Sequence, residues 1–229
     1  MPAIADNLAA IQNRIRNAIA RSKYQQKVHL VAVTKTQPVQ AILEGIQAGV
    51  KIIGENRVQE AAGKFPLIGN QVQWHLIGHL QSNKVKKALS LFEMIHSVDS
   101  LELAREIDRQ AGILGKCPSI LLQVNVSGEA GKFGLSPQLA LPVAEQISAF
   151  KQLKLCGLMT IPPFNADPEA SRPHFRALSE LKEQLTRTGI LGLKYLSMGM
   201  SHDFEVAIEE GAHFVRIGSA IFSRKGNTC

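Results

Sequence analysis

A lysine, Lys35, ends the first apolar run of the chain, where residues 29–35 read HLVAVTK. Pro38 follows, and the pattern after it is helical, so Lys35 is predicted to be the last residue of a strand and to face a loop. In an α/β barrel, the loops that follow the strands build the functional site. Lys35 is therefore the first candidate for chemistry, as an amine that can attack a carbonyl group.

Two later strand ends have the residue types of phosphate-binding loops. Residues 197–201 (SMGMS) combine a glycine with two hydroxyls before a short helix, and Gly218 and Ser219 follow the last apolar run. Glycine lets the backbone approach an anion, and free N–H groups at the start of a helix point at it. In (β/α)8 barrels the loops after strands seven and eight frequently bind phosphate. Each loop taken alone is equally consistent with an ordinary tight turn.

A lysine opposite a phosphate loop indicates a ligand that carries both a carbonyl group and a phosphate. Pyridoxal 5'-phosphate (PLP) fits this description, because a lysine amine forms a Schiff base with its aldehyde. Taken alone, Lys35 is also consistent with a solvated loop lysine or with a direct phosphate contact.

Arg216 strengthens the PLP interpretation. It lies within an apolar run, FVRI, and must either point into a polar site or pair with an acid, since an unpaired buried charge is costly. If Arg216 faces the pyridine nitrogen of PLP, its permanent charge keeps that nitrogen unprotonated and makes the ring a poorer electron sink.

Other side chains near the strand ends give weaker signals. His79 and His202 are candidates for acid–base groups, but a lone histidine is as often a structural hydrogen-bonding residue. Glu55 could act as a general base, although its neighbour Arg57 favours a structural ion pair. Met159 is most simply a core or pocket-lining residue.

The elements that must position these residues alternate between short apolar runs and longer helical patterns. Residues 3–22 have apolar side chains at spacings of three and four, which predicts an amphipathic helix before the first strand. Later helices are predicted over 100–110, followed by Gly112, and over 136–150, with Ser136 as N-cap. Eight runs are predicted to be strands: 29–35, 51–54, 73–78, 94–98, 119–126, 153–160, 194–198 and 214–217.

This alternation predicts an α/β protein built from parallel βα units. Eight such units in about 200 residues fit a closed (β/α)8 TIM barrel, here one domain over residues 1–229. An open, doubly wound sheet is the rival fold. Against it, no Gly-x-Gly-x-x-Gly turn follows the first predicted strand.

The composition excludes several classes of protein. No run approaches the roughly 18 apolar residues of a membrane helix, and no secretory signal is recognisable, so we expect a soluble, cytoplasmic protein that does not contact a membrane. The net charge of +7 is scattered and only 5% of residues are aromatic, which argues against a nucleic-acid partner. The cysteines, Cys117, Cys156 and Cys229, lack metal-ligand spacing and are expected to be reduced thiols without a metal site.

Several motifs together resemble a known family. Residues 74–84 (WHLIGHLQSNK) are similar to the signature of the YggS/PROSC family, the pyridoxal phosphate homeostasis proteins. Further similar motifs lie, in the family's order, at residues 31–35, 54–60, 158–160, 196–201 and 215–219. The resemblance covers essentially the whole chain. It implies a barrel like the N-terminal domain of alanine racemase, the fold-type III PLP enzymes, preceded here by an extra helix.

The resemblance also implies roles for individual residues. Lys35 would form the Schiff base with PLP, and Arg216 would contact the pyridine nitrogen. The phosphate would be held by Ser201, Gly218 and Ser219, and the cofactor pocket would be lined by Asn56, His79, Met159 and Ser197.

The function implied by the resemblance is PLP homeostasis and amino- and keto-acid balance, without known catalysis. Alanine racemases add a second domain and a tyrosine base, whereas this chain ends after the eighth predicted strand, and Tyr24 and Tyr195 precede or begin strands. We therefore expect a monomeric PLP carrier or regulator with apo-enzymes as partners, not an enzyme. A PLP-dependent racemase or lyase of narrow range and a scaffold for a regulatory protein are the alternatives. Residues 223–229 match no motif.

Overall fold

Short parallel strands form a closed barrel in the computed structural model, which describes residues 4–190 and 192–223. Each strand is hydrogen-bonded to the next along the chain, and the last pairs with the first. The predicted (β/α)8 barrel is confirmed. The strands are β1 His29–Val33, β2 Ile52–Glu55, β3 Gln73–Leu76, β4 Met94–Val98, β5 Ser119–Gln123, β6 Lys154–Met159, β7 Tyr195–Met200 and β8 Phe214–Ile217.

Helices surround the barrel, and the predicted extra helix precedes the first strand. Helix α1 packs against α8 and α9 through a buried face of Leu8, Ile11, Ile15 and Ala18. An ion pair of 2.7 Å between Arg14 and Glu205 fixes it to α8. The helices are α1 Ile4–Arg21, α2 Val39–Gln47, α3 Val58–Ile68, α4 Val85–Leu89, α5 Leu101–Leu114, α6 Pro137–Ser148, α7 Arg172–Arg187, α8 Phe204–Glu209 and α9 Ser219–Phe222.

The strands bury side chains on both faces, because successive residues of a strand point to opposite sides. One face fills the barrel interior with Val31, Ile52, Ile77, Met94, Leu121, Met159 and Phe214. The other face packs beneath the helices; Ala32, Ile53 and Trp74 belong to this outer layer. The interior is therefore a packed core whose upper end forms the floor of the barrel mouth.

Two strand boundaries that matter for the site differ from the prediction. Strand β1 ends at Val33, so Lys35 is not its last residue but lies in the turn that follows. The left-handed backbone of Thr36, with φ of 62°, breaks the extended conformation there. Strand β7 runs to Met200, so Ser197 lies within the strand and only Ser201 remains in the loop.

The helix boundaries differ less. Helix α5 continues through Gly112 to Leu114 and ends at Gly115, whose φ of 61° is left-handed. Gly112 lies inside the helix, where a Cβ would be at an ordinary van der Waals distance of 3.4 Å from the Gln152 side chain. Ser136 occupies the N-cap position of α6, as predicted, but its side chain makes no capping hydrogen bond.

Within the described ranges, no helix combines the length and the apolar character needed to cross a lipid bilayer. Among the same residues, no cluster of His, Cys, Asp or Glu is arranged to hold a metal ion. Cys117 and Cys156 are free thiols. Cys229, with the rest of residues 224–229, lies outside the described residues.

Candidate functional site

Three neighbouring strands bring the main sequence candidates to one part of the barrel mouth. Strand β8 pairs with β1 on one side and with β7 on the other. Lys35 follows β1 by two residues, Ser201 directly follows β7, and Gly218 and Ser219 directly follow β8. Because parallel strands end at the same side of a barrel, the amine and the predicted phosphate loops share one edge of the mouth.

The side chain of Lys35 is exposed at this edge. It lies at the second position of a four-residue turn, closed by a hydrogen bond of 3.0 Å from the Gln37 N–H to the Thr34 carbonyl. Among the described residues, no hydrogen bond or ion pair occupies the Lys35 amine. The amine is therefore accessible to a ligand entering from solvent.

The two predicted phosphate loops contact each other. The Gly218 N–H donates a hydrogen bond of 3.3 Å to the Ser201 hydroxyl. A Cβ at Gly218 would lie 3.2 Å from the Val33 Cβ, so glycine lets the end of β8 approach β1 closely. Helices α8 and α9 are only six and four residues long, so hydroxyls and single N–H groups, rather than a helix macrodipole, must supply the contacts to an anion.

Arg216 is buried in β8, and only 3% of it is exposed. Its Nη1 donates to the Ser197 hydroxyl at 2.7 Å and its Nη2 to the Thr160 carbonyl at 2.9 Å. Burial lowers the pKa of Arg216 to about 10, against the attraction of Asp203, which raises it. The guanidinium therefore remains charged at neutral pH. Of the two predicted environments, a polar site or a paired acid, the structure shows the polar site.

A chain of hydrogen bonds continues from Arg216 into the barrel. The Ser197 hydroxyl lies 2.8 Å from His96 Nδ1, and His96 Nε2 lies 3.0 Å from His75 Nδ1. Arginine can only donate, so Ser197 accepts from Arg216, and its single hydroxyl hydrogen is paired only if His96 Nδ1 accepts it. His96 then donates through Nε2 to His75.

Both histidines of this chain are neutral at pH 7. Burial lowers the pKa of His75 to about 3. Burial holds the pKa of His96 well below its ordinary value, and repulsion by His75, once that residue is protonated, and by Arg216 lowers it further. Neutral imidazoles are the form that this hydrogen-bond direction requires.

Asn56 and His79 lie over the ends of β2 and β3. Both line a cavity of about 620 Å³ together with Arg57 and Lys84. The lining of this cavity does not include Lys35 or Arg216. His79 Nδ1 lies 3.0 Å from an Asp99 carboxylate oxygen, so the structure gives this histidine an acidic partner.

The remaining predicted pocket residues are deeper. Met159 is the last residue of β6 and is fully buried in the interior cluster. Ser197 is fully buried beside Arg216. Glu55 is also buried, and its ion pair is with Lys64 at 2.7 Å. The predicted pairing of Glu55 with Arg57 was wrong, because the chain turns from β2 into α3 between them and leaves Arg57 exposed.

Comparison with known proteins shows which family the chain belongs to. It matches the family described as alanine racemase, N-terminal domain, over residues 7–225. A pyridoxal phosphate homeostasis protein from Aquifex aeolicus (strain VF5) is 41% identical over 222 residues, which cover 96% of this chain and 97% of that protein. The chain belongs to the pyridoxal phosphate homeostasis proteins.

Solved structures agree with this family. PipY of Synechococcus elongatus PCC7942, determined without PLP, superposes with a TM-score of 0.87 at 37% identity over 96% of this chain and 99% of PipY. PipY with PLP bound gives a TM-score of 0.85 at 36% identity over the same shares of the two chains. An alanine racemase from Clostridium difficile 630 in complex with cycloserine is 17% identical, with a TM-score of 0.74 over 97% of this chain and 61% of the racemase, and shows the shared barrel fold alone. The predicted family resemblance and alanine racemase-like fold are confirmed.

The sequence interpretation of this pyridoxal phosphate homeostasis protein missed His75 and His96. Both are histidines within apolar strands, which is the same signal that singled out Arg216. In β4, His96 is two residues after the interior residue Met94, and the two-residue period of a strand places both on the interior face. Reading the strands by face, rather than only at their ends, would have identified the pair.

Proposed function

We propose that this protein binds PLP at the edge of the mouth formed by β1, β7 and β8, and holds it as a Schiff base with Lys35. The observation that carries the proposal is the placement of an accessible amine, two hydroxyl- and N–H-bearing loops and a buried arginine on three adjacent strands. A relative of the same fold, PipY, has been solved with PLP bound, which supports this ligand.

The residues present fit the functional groups of PLP. The cofactor supplies an aldehyde, a phosphate and a pyridine ring that can act as an electron sink. In our proposal Lys35 provides the amine, and the phosphate is bound by Ser201, Gly218 and Ser219. The pocket is lined by Asn56, His79, Met159 and Ser197.

Arg216 decides what kind of PLP protein we propose. Its guanidinium is buried, charged and bonded to Ser197 and Thr160, with Nη1 and Nη2 both engaged by neutral oxygens. A permanent positive charge beside the pyridine nitrogen would keep that nitrogen unprotonated and weaken the ring as an electron sink. Tyr195 is the first residue of β7, at the opposite end from the mouth. These features favour holding PLP over turning over amino acids.

We therefore propose a role in PLP homeostasis and in amino- and keto-acid balance, without catalysis. Residues 1–229 would act as one PLP-binding domain, monomeric and cytoplasmic, that passes PLP to apo-enzymes. The names of the curated relatives, which are homeostasis proteins, support this role. Sedimentation of the purified protein at several concentrations tests the monomer, and a concentration-dependent rise in mass would contradict it.

The first experiment records the absorbance spectrum with and without PLP, before and after borohydride reduction, and maps the modified peptide by mass spectrometry. We expect a visible band and a pyridoxyl adduct on Lys35. Lys35→Ala should lose both, whereas the control Lys51→Ala, at an exposed lysine at the other end of the barrel, should keep both. A protein that stays colourless in excess PLP would contradict the proposal.

A second experiment separates a carrier from an enzyme. The loaded protein is mixed with an apo PLP-enzyme and recovery of that enzyme's activity is followed, and in parallel amino acids are incubated with the loaded protein in deuterated water. A carrier should restore the apo-enzyme and leave the α-protons unexchanged. Proton exchange that is abolished in Lys35→Ala would instead identify a racemase or lyase.

A further inference from the structure

The turn that carries Lys35 has an unfavourable backbone conformation. Thr36 has φ of 62°, in the left-handed region, whereas Lys35 does not. With the hydrogen bond from the Gln37 N–H to the Thr34 carbonyl, these are the features of a type II turn, whose third position favours glycine or asparagine. For a β-branched residue such as threonine this conformation is disfavoured by roughly ten-fold. Other contacts must therefore hold the turn in place.

Both neighbours of Lys35 are fixed by such contacts. The Thr34 hydroxyl donates to Glu55 Oε1 at 2.6 Å, and the Thr34 carbonyl accepts from Lys64 Nζ at 2.7 Å. The Thr36 N–H donates to Glu60 Oε1 at 2.6 Å. This last bond holds the backbone of the left-handed residue itself.

The three residues that hold the turn form one ion cluster, Glu55, Lys64 and Glu60. Lys64 Nζ lies 2.7 Å from a carboxylate oxygen of each glutamate. The exposed fraction of the side chain is 0% for Glu55, 10% for Lys64 and 26% for Glu60. The three hydrogens of the ammonium are thus used on Glu55, Glu60 and the Thr34 carbonyl.

Stability alone gives little reason for this cluster. Well-packed apolar residues of similar volume can often replace a buried ion pair without loss of stability. Glu55 also keeps one carboxylate oxygen, Oε2, that is buried without a hydrogen-bond partner among the described residues. A cluster that is costly to bury and that bonds to both sides of Lys35 points to a role in placing the turn.

We propose that Glu55, Lys64 and Glu60 are positioning residues that hold the strained turn and thereby set where the Lys35 amine stands at the mouth. The amine itself is free of partners in the described chain, so the turn backbone decides its direction. Glu60 is the member that acts on the strained residue directly. The purpose of the device rests on the proposed function, since Lys35 is the residue that would bond to PLP.

The test removes the Glu60 contact and then removes the strain. Glu60→Ala deletes the acceptor of the Thr36 N–H, and Thr36→Gly in the same chain lets the turn adopt its conformation at no steric cost. The control is Glu44→Ala, an exposed helical glutamate on α2. Two quantities are measured: hydrogen exchange of residues 34–37 without cofactor, and the first-order rate of Schiff base formation at saturating PLP.

In Glu60→Ala we expect exchange of the Thr36 amide to rise about ten-fold and the rate of Schiff base formation to fall about ten-fold, the factor by which the turn is disfavoured. The double variant Glu60→Ala/Thr36→Gly should recover the wild-type rate to within about three-fold, and Glu44→Ala should change neither quantity. Rescue by a glycine is not expected of a residue that merely stabilises α3.

Two results would overturn the proposal. One is wild-type exchange and rate in Glu60→Ala; the other is a lower rate that Thr36→Gly does not restore. If the wild type forms no Schiff base with PLP, the proposed function fails, whereas the exchange measurement still decides whether Glu60 holds the turn. The two hypotheses therefore fail separately.

Discussion

Replacing Ser197 with alanine would disconnect Arg216 from the histidines inside the barrel. The hydroxyl accepts from Arg216 Nη1 at 2.7 Å and lies 2.8 Å from His96 Nδ1. Its removal leaves one N–H of a charged group and one imidazole nitrogen unpaired, both in residues with little or no exposure. The Thr160 carbonyl still accepts a hydrogen bond from the other terminal guanidinium nitrogen, Nη2, so the guanidinium keeps one of its two hydrogen-bond partners.

The magnitude follows from these two losses. A hydrogen bond to a charged group contributes about 1.5–3 kcal/mol, and a buried polar group left unpaired costs about 1–3 kcal/mol. Allowing for partial relaxation, we expect Ser197→Ala to lower the free energy of unfolding by about 3 kcal/mol, a large part of the roughly 5–15 kcal/mol of a typical domain.

Urea denaturation measures this loss. The chain has a single tryptophan, Trp74, which is fully buried in β3, so its fluorescence reports unfolding. The control is Ser136→Ala, at an exposed N-cap that makes no side-chain hydrogen bond, which should cost under about 0.5 kcal/mol. If Ser197→Ala costs no more than this control, the chain from Arg216 to His75 does not contribute as we argue.

Three further predictions rest on single residues. Lys35→Ala should change the free energy of unfolding by less than about 1 kcal/mol, because the side chain is exposed; a large loss in urea would show a structural role. His75 has an ordinary pKa of 6.5, lowered to about 3 by burial, so the unfolded state binds the extra proton as pH falls below 6.5. His75 should therefore lower the free energy of unfolding by about 2 kcal/mol between pH 6.5 and roughly pH 5. Urea titrations at several pH values should show a smaller loss of stability over this range in His75→Gln than in the wild type. The exposed control His202→Gln should lose as much stability as the wild type. Gly199 and Gly49 both have a positive φ, of 88° and 108°, but a Cβ at Gly199 would lie only 2.5 Å from the Ala207 Cβ, whereas Gly49 has open space around it. Gly199→Ala should therefore lower the free energy of unfolding more than Gly49→Ala. A difference below about 1 kcal/mol in thermal or urea unfolding would contradict this packing argument.

Much of the fold was predictable because it depends on local patterns. Strands β4 and β8 have the predicted bounds, Met94–Val98 and Phe214–Ile217, since both are apolar runs bounded by turns. The end of β1 was predicted two residues too late, because nothing in the residue type of Thr36 indicates a left-handed backbone. The Thr36 N–H is bonded to Glu60, a residue 24 positions away in the chain, and a contact of this kind is not visible in the local sequence.

The candidate site was predictable where it depends on strand ends and not where it depends on partners. Lys35, Ser201 and Gly218 follow their strands closely, so the end of an apolar run was enough to predict their place at the mouth. His75 and His96 are bonded across neighbouring strands, 21 positions apart. Their contact depends on the register between the two strands and on which face of each strand is buried. Neither can be predicted from the residues of one strand alone. For the same reason Lys64 was not expected to be the partner of Glu55.

The two networks of buried polar side chains both lie directly next to the barrel mouth. The chain from Arg216 to His75 lies inside the barrel beneath the mouth, and the cluster of Glu55, Lys64 and Glu60 lies behind the turn that carries Lys35. Each costs desolvation that apolar packing would avoid; the first bonds to Arg216 itself, and the second bonds to the residues on either side of Lys35. These groups are already ordered in the folded protein. A ligand that binds at the mouth therefore loses less of its binding free energy to ordering side chains. If Arg216 faces the pyridine nitrogen as we propose, a mouth arranged in this way suits a protein that holds PLP and releases it unchanged.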